Sequence, residues 1–149
     1  MTKGADMSVP PLVETFYARI WNAGQEYVDD LLTEDFVFRG SLDTETTGRA
    51  AFMDYVCRVR GSLAQYRCEI LSCVSEPPQA FTRMRFSGLH VAPFRGFEAT
   101  GRPVRWDGAA LFTFRDDAIA SLWVLGDMAG LDAALHENVS FQNPWKQSA

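Results

Sequence analysis

The hydrophobic period of this chain changes near residue 63, and that change constrains the fold most. Before it, apolar residues recur every three to four positions, as on one face of an amphipathic helix. After it, apolar and polar residues alternate along four stretches, at 65–75, 81–91, 103–114 and 119–128. Period-two alternation is typical of strands with one buried face. This order predicts an α+β fold, a curved antiparallel sheet with helices packed on one face, which together form a cone.

The first half of the chain predicts three helices and one strand. A helix is expected over 12–22, a shorter one over 25–32, a strand over 35–39, a polar loop over 40–48 and a helix over 49–63. After the four strands, a short helix is expected over 131–136, followed by a loosely ordered tail at 137–149. The 149 residues make one domain, with its core at about 12–136.

Charge and composition exclude several classes of partner. The net charge is −5 and the arginines are scattered, whereas a nucleic-acid binder needs a concentrated basic face. No apolar stretch approaches the roughly 18 residues that cross a bilayer, and residues 1–11 lack the apolar segment of a signal peptide. We therefore expect a cytoplasmic protein without nucleic-acid or membrane partners. Two histidines and three cysteines, without ligand spacing, predict no metal site.

Aromatic residues are numerous, with 11 Phe, 4 Trp and 4 Tyr. Rings bury large areas, so they predict either a thick core or a cavity with an aromatic lining. The small residues at 108–110 leave space beside large rings on the same strand, which favours a cavity for a small hydrophobic molecule. The predicted lining consists of Trp21, Phe38, Tyr55, Trp106, Phe112 and Trp123.

Two polar residues are the candidates for chemistry. Asp127 shares its strand parity with Trp123 and Leu125, and desolvation on such a face would raise its pKa and make it a proton carrier near neutrality. Alternatively, Asp127 is an N-cap of the following helix or a loop acid in water. His90 alternates with two arginines and is expected to point inward, toward the helices. Alternatively, His90 is a structural histidine at the edge of the sheet, and its ring hydrogen-bonds a backbone carbonyl.

Three motifs carry a resemblance to a known family. They are GLHVAPFRG at 88–96, TGR at 100–102 and WVLGD at 123–127. In this combination, from about residue 12 to 135, the chain resembles the SnoaL-like polyketide cyclases, or ester cyclases, of the nuclear-transport-factor-2-like superfamily. The resemblance implies an apolar pocket, usually a homodimer, and cyclisation of a polyketide by aldol condensation without metal or organic cofactor. It also implies that Asp127 is the general acid/base and that His90 hydrogen-bonds a substrate oxygen.

The chain also departs from that family, and other functions stay open. Relatives often carry a polar His or Gln on the strand before the last motif, where this chain has AALF at 109–112. An isomerase, or a binding module without catalysis, is compatible with the same scaffold. Epoxide hydrolysis would need Asp127 and the Arg105–Asp107 pair around one water. Strand parity puts that pair away from the aromatic face.

Overall fold

A curved sheet of six strands organises the protein in the computed structural model, which describes residues 8–41 and 44–142. The strands are β1 Leu32–Gly40, β2 Thr44–Thr47, β3 Leu63–Glu76, β4 Gln79–His90, β5 Pro103–Arg115 and β6 Ala118–Gly126, in the spatial order β2-β1-β6-β5-β4-β3. All neighbours are antiparallel except β1 and β6, which are parallel. The predicted α+β fold is confirmed, with one parallel pair in a sheet expected to be antiparallel throughout.

The helices cover the concave face of the sheet. The first, α1, spans Pro11–Thr15 and continues as π-helical turns over Phe16–Asn22; α2 is Arg49–Ser62 and α3 is Met128–Gln142. Pro11 lies in the first turn of α1, where a missing N–H costs nothing. The core between helices and sheet is rich in phenylalanine, and its fully buried members include Phe16, Phe36, Phe52 and Phe112. No helix among the described residues is long and apolar enough to span a membrane.

Three predicted segments differ from the structure. Residues 25–32 form no helix: Val28 and Leu31 are buried as expected, but the segment is irregular and ends in a turn before β1. The side chain of Arg49 donates to the carbonyl of Leu32 and holds this segment on α2. The predicted loop over 40–48 contains β2, paired with β1. The last helix begins at Met128 rather than near 131 and extends beyond 136 to Gln142, while 143–149 lie outside the described residues.

Strand parity follows the sequence on β4 and β5. On β4, Met84 and His90 are buried on the concave face, and Arg83 and Arg85, of the opposite parity, point to the convex, outer face. The register then fixes β6, because Phe112 of β5 is buried and Leu122 lies opposite it. Leu122 therefore faces the core, and Trp123 lies on the convex face. The inward parity of β6 is therefore that of Leu122 and not that of Trp123, which was predicted to line the cavity.

Candidate functional site

A cavity of about 40 Å³ lies between the π-helical turns, α2 and the concave face of the sheet. It is mostly apolar and is partly open to the outside near the end of β1. The residues that line it are Tyr17, Trp21, Phe38, Gly40, Ser41, Tyr55, Tyr66, Phe86, Trp106, Leu122 and Val124. This volume holds a few waters or the end of a small molecule, whereas pockets for larger organic ligands reach about 300 Å³ or more.

The π-helical turns are anchored where they supply Trp21 to the cavity. The side chain of Asn22 acts like an extra strand residue, because its Nδ2 donates to the carbonyl of Cys68 (3.2 Å) and its Oδ1 accepts from the Cys68 N–H (2.7 Å). The guanidinium of Arg60 donates to the carbonyl of Trp21. The indole ring then packs 5.3 Å from the ring of Tyr66, between centroids. Helix end, strand and indole are thus fixed together.

Several polar groups reach this cavity, and all of them are uncharged. The hydroxyl of Ser41 accepts a hydrogen bond from the N–H of Gly126 (3.0 Å). The hydroxyl of Tyr55 and the indole Nε1 of Trp106 have no hydrogen-bond partner within the described part of the chain. Two neutral donors are therefore available to a ligand in an otherwise aromatic space.

Burial keeps the phenols of the cavity protonated. Desolvation raises the pKa of Tyr17, Tyr55 and Tyr66 above the usual value for tyrosine, because a phenolate would lose its hydration. The same effect raises the pKa of the Cys68 thiol, which makes it a poor nucleophile. The cavity can thus donate hydrogen bonds to a carbonyl oxygen across the physiological pH range, without a charge of its own.

Four of the six predicted lining residues lie in the cavity wall: Trp21, Phe38, Tyr55 and Trp106. Phe112 does not, because it is fully buried in the core and its ring packs edge-on against Phe16, with centroids 5.4 Å apart. Trp123 lies on the convex face and is 38% exposed, since the register of β6 turns the opposite parity inward. Both predictions of a lining role therefore need correction.

Asp127 follows the last residue of β6 and is exposed to solvent, so the desolvation expected from its parity is not found. Its Oδ1 accepts a hydrogen bond from the N–H of Gly130 (2.9 Å), and its carbonyl accepts from the N–H of Leu131 (3.0 Å). This is N-cap geometry for α3. In the sequence, Asp127 follows Gly126, whose N–H donates to the hydroxyl of Ser41 in the cavity wall.

His90 is completely buried and points inward as predicted, but it is not part of the cavity wall. Its Nδ1 lies 3.2 Å from the hydroxyl of Thr100, which also accepts from the N–H of Arg102. Its Nε2 has no partner among the described residues. The ring of Phe94 separates it from the cavity, 6.4 Å from His90 and 6.3 Å from Trp106 between centroids. The histidine and TGR motifs thus share one hydrogen-bond network.

The Arg105–Asp107 pair lies on the convex face, as parity predicts. The carboxylate of Asp107 is held instead by Arg85, with Oδ1 3.0 Å from Nε, and this hydrogen bond lowers the pKa of Asp107. It is not among the cavity residues. In the described ranges, no three His, Cys, Asp or Glu side chains come together as metal ligands would.

Sequence reasoning missed seven cavity residues, namely Tyr17, Gly40, Ser41, Tyr66, Phe86, Leu122 and Val124. Tyr17 lies on the apolar face of the first helix, and Tyr66 shares its parity with the buried Cys68 on β3. Those patterns predict burial but cannot separate a cavity wall from filled core. Ser41 belongs to a polar segment and carried no signal of its own.

Comparison with solved structures finds several proteins with a similar fold. TsrD from Streptomyces laurentii is 25% identical, with a TM-score of 0.73 over 86% of this chain and 98% of that one. A SnoaL-like polyketide cyclase structure from Jannaschia sp. CCS1 is 16% identical, with a TM-score of 0.76 over 87% and 97%. A Catenulispora acidiphila protein with a ketosteroid isomerase-like fold, in complex with trimethylamine, is 16% identical, with a TM-score of 0.73 over 87% and 95%.

No curated protein matches the chain. The family model for SnoaL-like polyketide cyclases, however, matches residues 11–135, which run from the start of α1 into α3 and include all six strands and the whole cavity wall. The chain therefore belongs to the SnoaL-like polyketide cyclase family.

Proposed function

We propose that this protein is a cofactor-free cyclase or isomerase that acts on a hydrophobic carbonyl compound by general acid/base catalysis. One observation carries the proposal: two neutral donors, the Tyr55 hydroxyl and the Trp106 N–H, are available in an aromatic cavity. When a proton leaves the carbon next to a carbonyl, negative charge develops on the carbonyl oxygen. Donors in a dry site stabilise that charge more than water does.

Asp127 is the proposed proton carrier. Its carboxylate removes the proton alpha to the carbonyl, and the C–H electrons form the enolate, whose oxygen accepts from Tyr55 and Trp106. Isomerisation follows if the proton returns at another carbon. Aldol cyclisation follows if the enolate carbon attacks a second carbonyl of the same molecule and the alkoxide takes the proton. Only one of its two carboxylate oxygens, Oδ1, is engaged in capping α3, so Oδ2 is the atom proposed to take the proton.

The test is deuterium exchange into 2-pentanone, a methyl ketone with a small end. In D₂O, wild-type protein should speed the loss of the α-proton signals in the ¹H spectrum. Asp127→Asn should abolish the acceleration but leave ketone binding, seen by saturation transfer, unchanged. Asparagine caps helices about as well as aspartate, so the fold is kept. Wild-type exchange in Asp127→Asn would refute the assignment of Asp127.

A binding protein without catalysis is the second candidate, favoured by the capping bond that occupies Asp127. In that case, 2-pentanone binds, Tyr55→Phe and Trp106→Phe weaken binding, and no exchange is seen with wild type.

The role of His90 can be tested in the same exchange assay. Its Nε2 would reach a substrate oxygen only past Phe94, so His90→Gln should change exchange less than Asp127→Asn does.

A homodimer through the convex face is proposed as the assembly. The chain's helices cover the other face, and the convex face exposes an apolar strip of Val37, Trp123 and Leu125 on adjacent strands. A second copy that places its own strip there would bury all three side chains on both protomers. Light scattering after size exclusion should give twice the 16.7 kDa chain mass, and Leu125→Glu should give the single mass. A monomeric wild type contradicts this assembly.

A further inference from the structure

A second concave space adjoins the aromatic cavity. This outer groove, of about 310 Å³, is formed by the C-terminal half of α2, Thr44 at the start of β2 and the segment after β4. Its lining consists of Thr44, Tyr55, Arg58, Val59, Ser62, Pro93, Phe94 and Arg95. Tyr55 belongs to both spaces, and Phe94 packs against Trp106 of the cavity wall. A molecule whose end enters the cavity beside Tyr55 would have the rest of its length in the outer groove.

The outer groove is positively charged in an acidic protein. Among the described residues, its lining contains two arginines and no carboxylate, whereas the whole chain has a net charge of −5. Arg95 is held by Asp132, with Nε 2.7 Å from Oδ1 and Nη2 3.0 Å from Oδ2. Arg58 has no ion pair within the described ranges. Its guanidinium carbon lies 6.0 Å from the centre of the Tyr55 ring, at the junction of the two spaces.

We propose that Arg58 binds a carboxylate of the ligand in the outer groove, so that the natural substrate class is hydrophobic keto acids rather than neutral ketones. This inference rests on the proposed function, because it places the reacting carbonyl beside Tyr55. Size supports it: a cavity of about 40 Å³ accepts only the end of a molecule, and the outer groove supplies the remaining volume. Chemistry supports it as well, since a guanidinium offers a carboxylate two parallel N–H donors.

Two probes that differ only in charge test the proposal. They are 4-oxopentanoate and its neutral isostere 4-oxopentanamide, whose methyl ketone ends are identical. Dissociation constants come from NMR titration of wild type, Arg58→Gln and Arg67→Gln. Arg67 is the matched control, because it is an exposed arginine on β3 outside the groove, also without an ion pair in the described structure.

Wild type should bind the acid about three-fold more tightly than the amide, as a charge-assisted pair at an exposed arginine predicts. Arg58→Gln should remove this preference without changing the affinity for the amide, and Arg67→Gln should keep it. Added salt should reduce the preference, because Arg58 is exposed. Equal affinities in wild type, or a preference that survives Arg58→Gln, overturns the assignment of Arg58. If the acid, the amide and 2-pentanone all fail to bind, the proposed function is refuted together with the assignment of Arg58.

Discussion

Asp127→Ala should destabilise the protein by a predictable amount, because the carboxylate caps α3. The substitution removes the acceptor for the Gly130 N–H, and the first turn of α3 holds no other acidic residue to offset the helix dipole. Loss of an N-cap typically costs about 1 kcal/mol, within a range of about 0.5–2. For a domain of this size, that lowers the melting temperature by about 2–4 °C.

Asp127→Asn isolates the charge from the cap. It keeps an acceptor for Gly130 and loses only the interaction with the helix dipole, worth about 0.3–1 kcal/mol at an exposed site. In urea denaturation, the unfolding free energy should be highest for wild type, lower for Asp127→Asn and lowest for Asp127→Ala. Glu137→Gln, which removes an exposed charge from the same helix far from its N-terminus, is the control and should change stability little. Equal stability of Asp127→Ala and wild type would refute the capping interpretation.

Two further predictions concern the core and the buried phenols. In the monomeric Leu125→Glu background, Phe112→Ala should cost about 3–5 kcal/mol in urea denaturation, and Trp123→Ala much less, because in the single chain only Phe112 is fully buried. Since burial raises the pKa of Tyr17, Tyr55 and Tyr66, the folded state holds their protons more tightly than the unfolded chain does. Their stabilising effect is complete below about pH 10, the ordinary pKa of tyrosine, and is lost as pH rises further, so the unfolding free energy should fall between about pH 10 and pH 12. A flat profile there contradicts phenol burial.

The sequence predicts strand faces where charge marks the solvent side. On β4, arginines occupy one parity, so the inward direction of His90 follows from alternation alone. On β6, both parities are apolar, and Trp123 is as plausible inside as Leu122. The inward face of β6 is determined by its pairing with β5, because Leu122 lies opposite the buried Phe112. That contact is between strands and has no local sequence signal.

The position of Asp127 shows a second limit of reading one chain locally. Its parity with Trp123 predicted an apolar environment, but the face in question is the convex one, and β6 ends one residue earlier. The volume of the cavity could not be predicted from the sequence either. It depends on how the ring of Trp21, in the π-helical turns, packs against the ring of Tyr66 on β3. The aromatic residues themselves, and four positions of the cavity wall, could be identified from the sequence.

Gly126→Ala tests whether the polar end of the cavity is where a carbonyl binds. A Cβ at this position would lie 3.0 Å from the Ser41 Oγ and 3.2 Å from the Trp106 Nε1, so the added methyl group crowds the indole donor. Its nearest neighbour is the flexible end of Met128, at 2.8 Å, which can move, so the stability cost should stay within about 1–3 kcal/mol. Affinity for 2-pentanone should fall several-fold. The control is Gly61→Ala on α2, where a Cβ meets nothing within 4 Å; it should leave affinity unchanged and raise stability by up to about 1 kcal/mol. Unchanged ketone affinity in Gly126→Ala would show that the carbonyl does not bind beside Trp106.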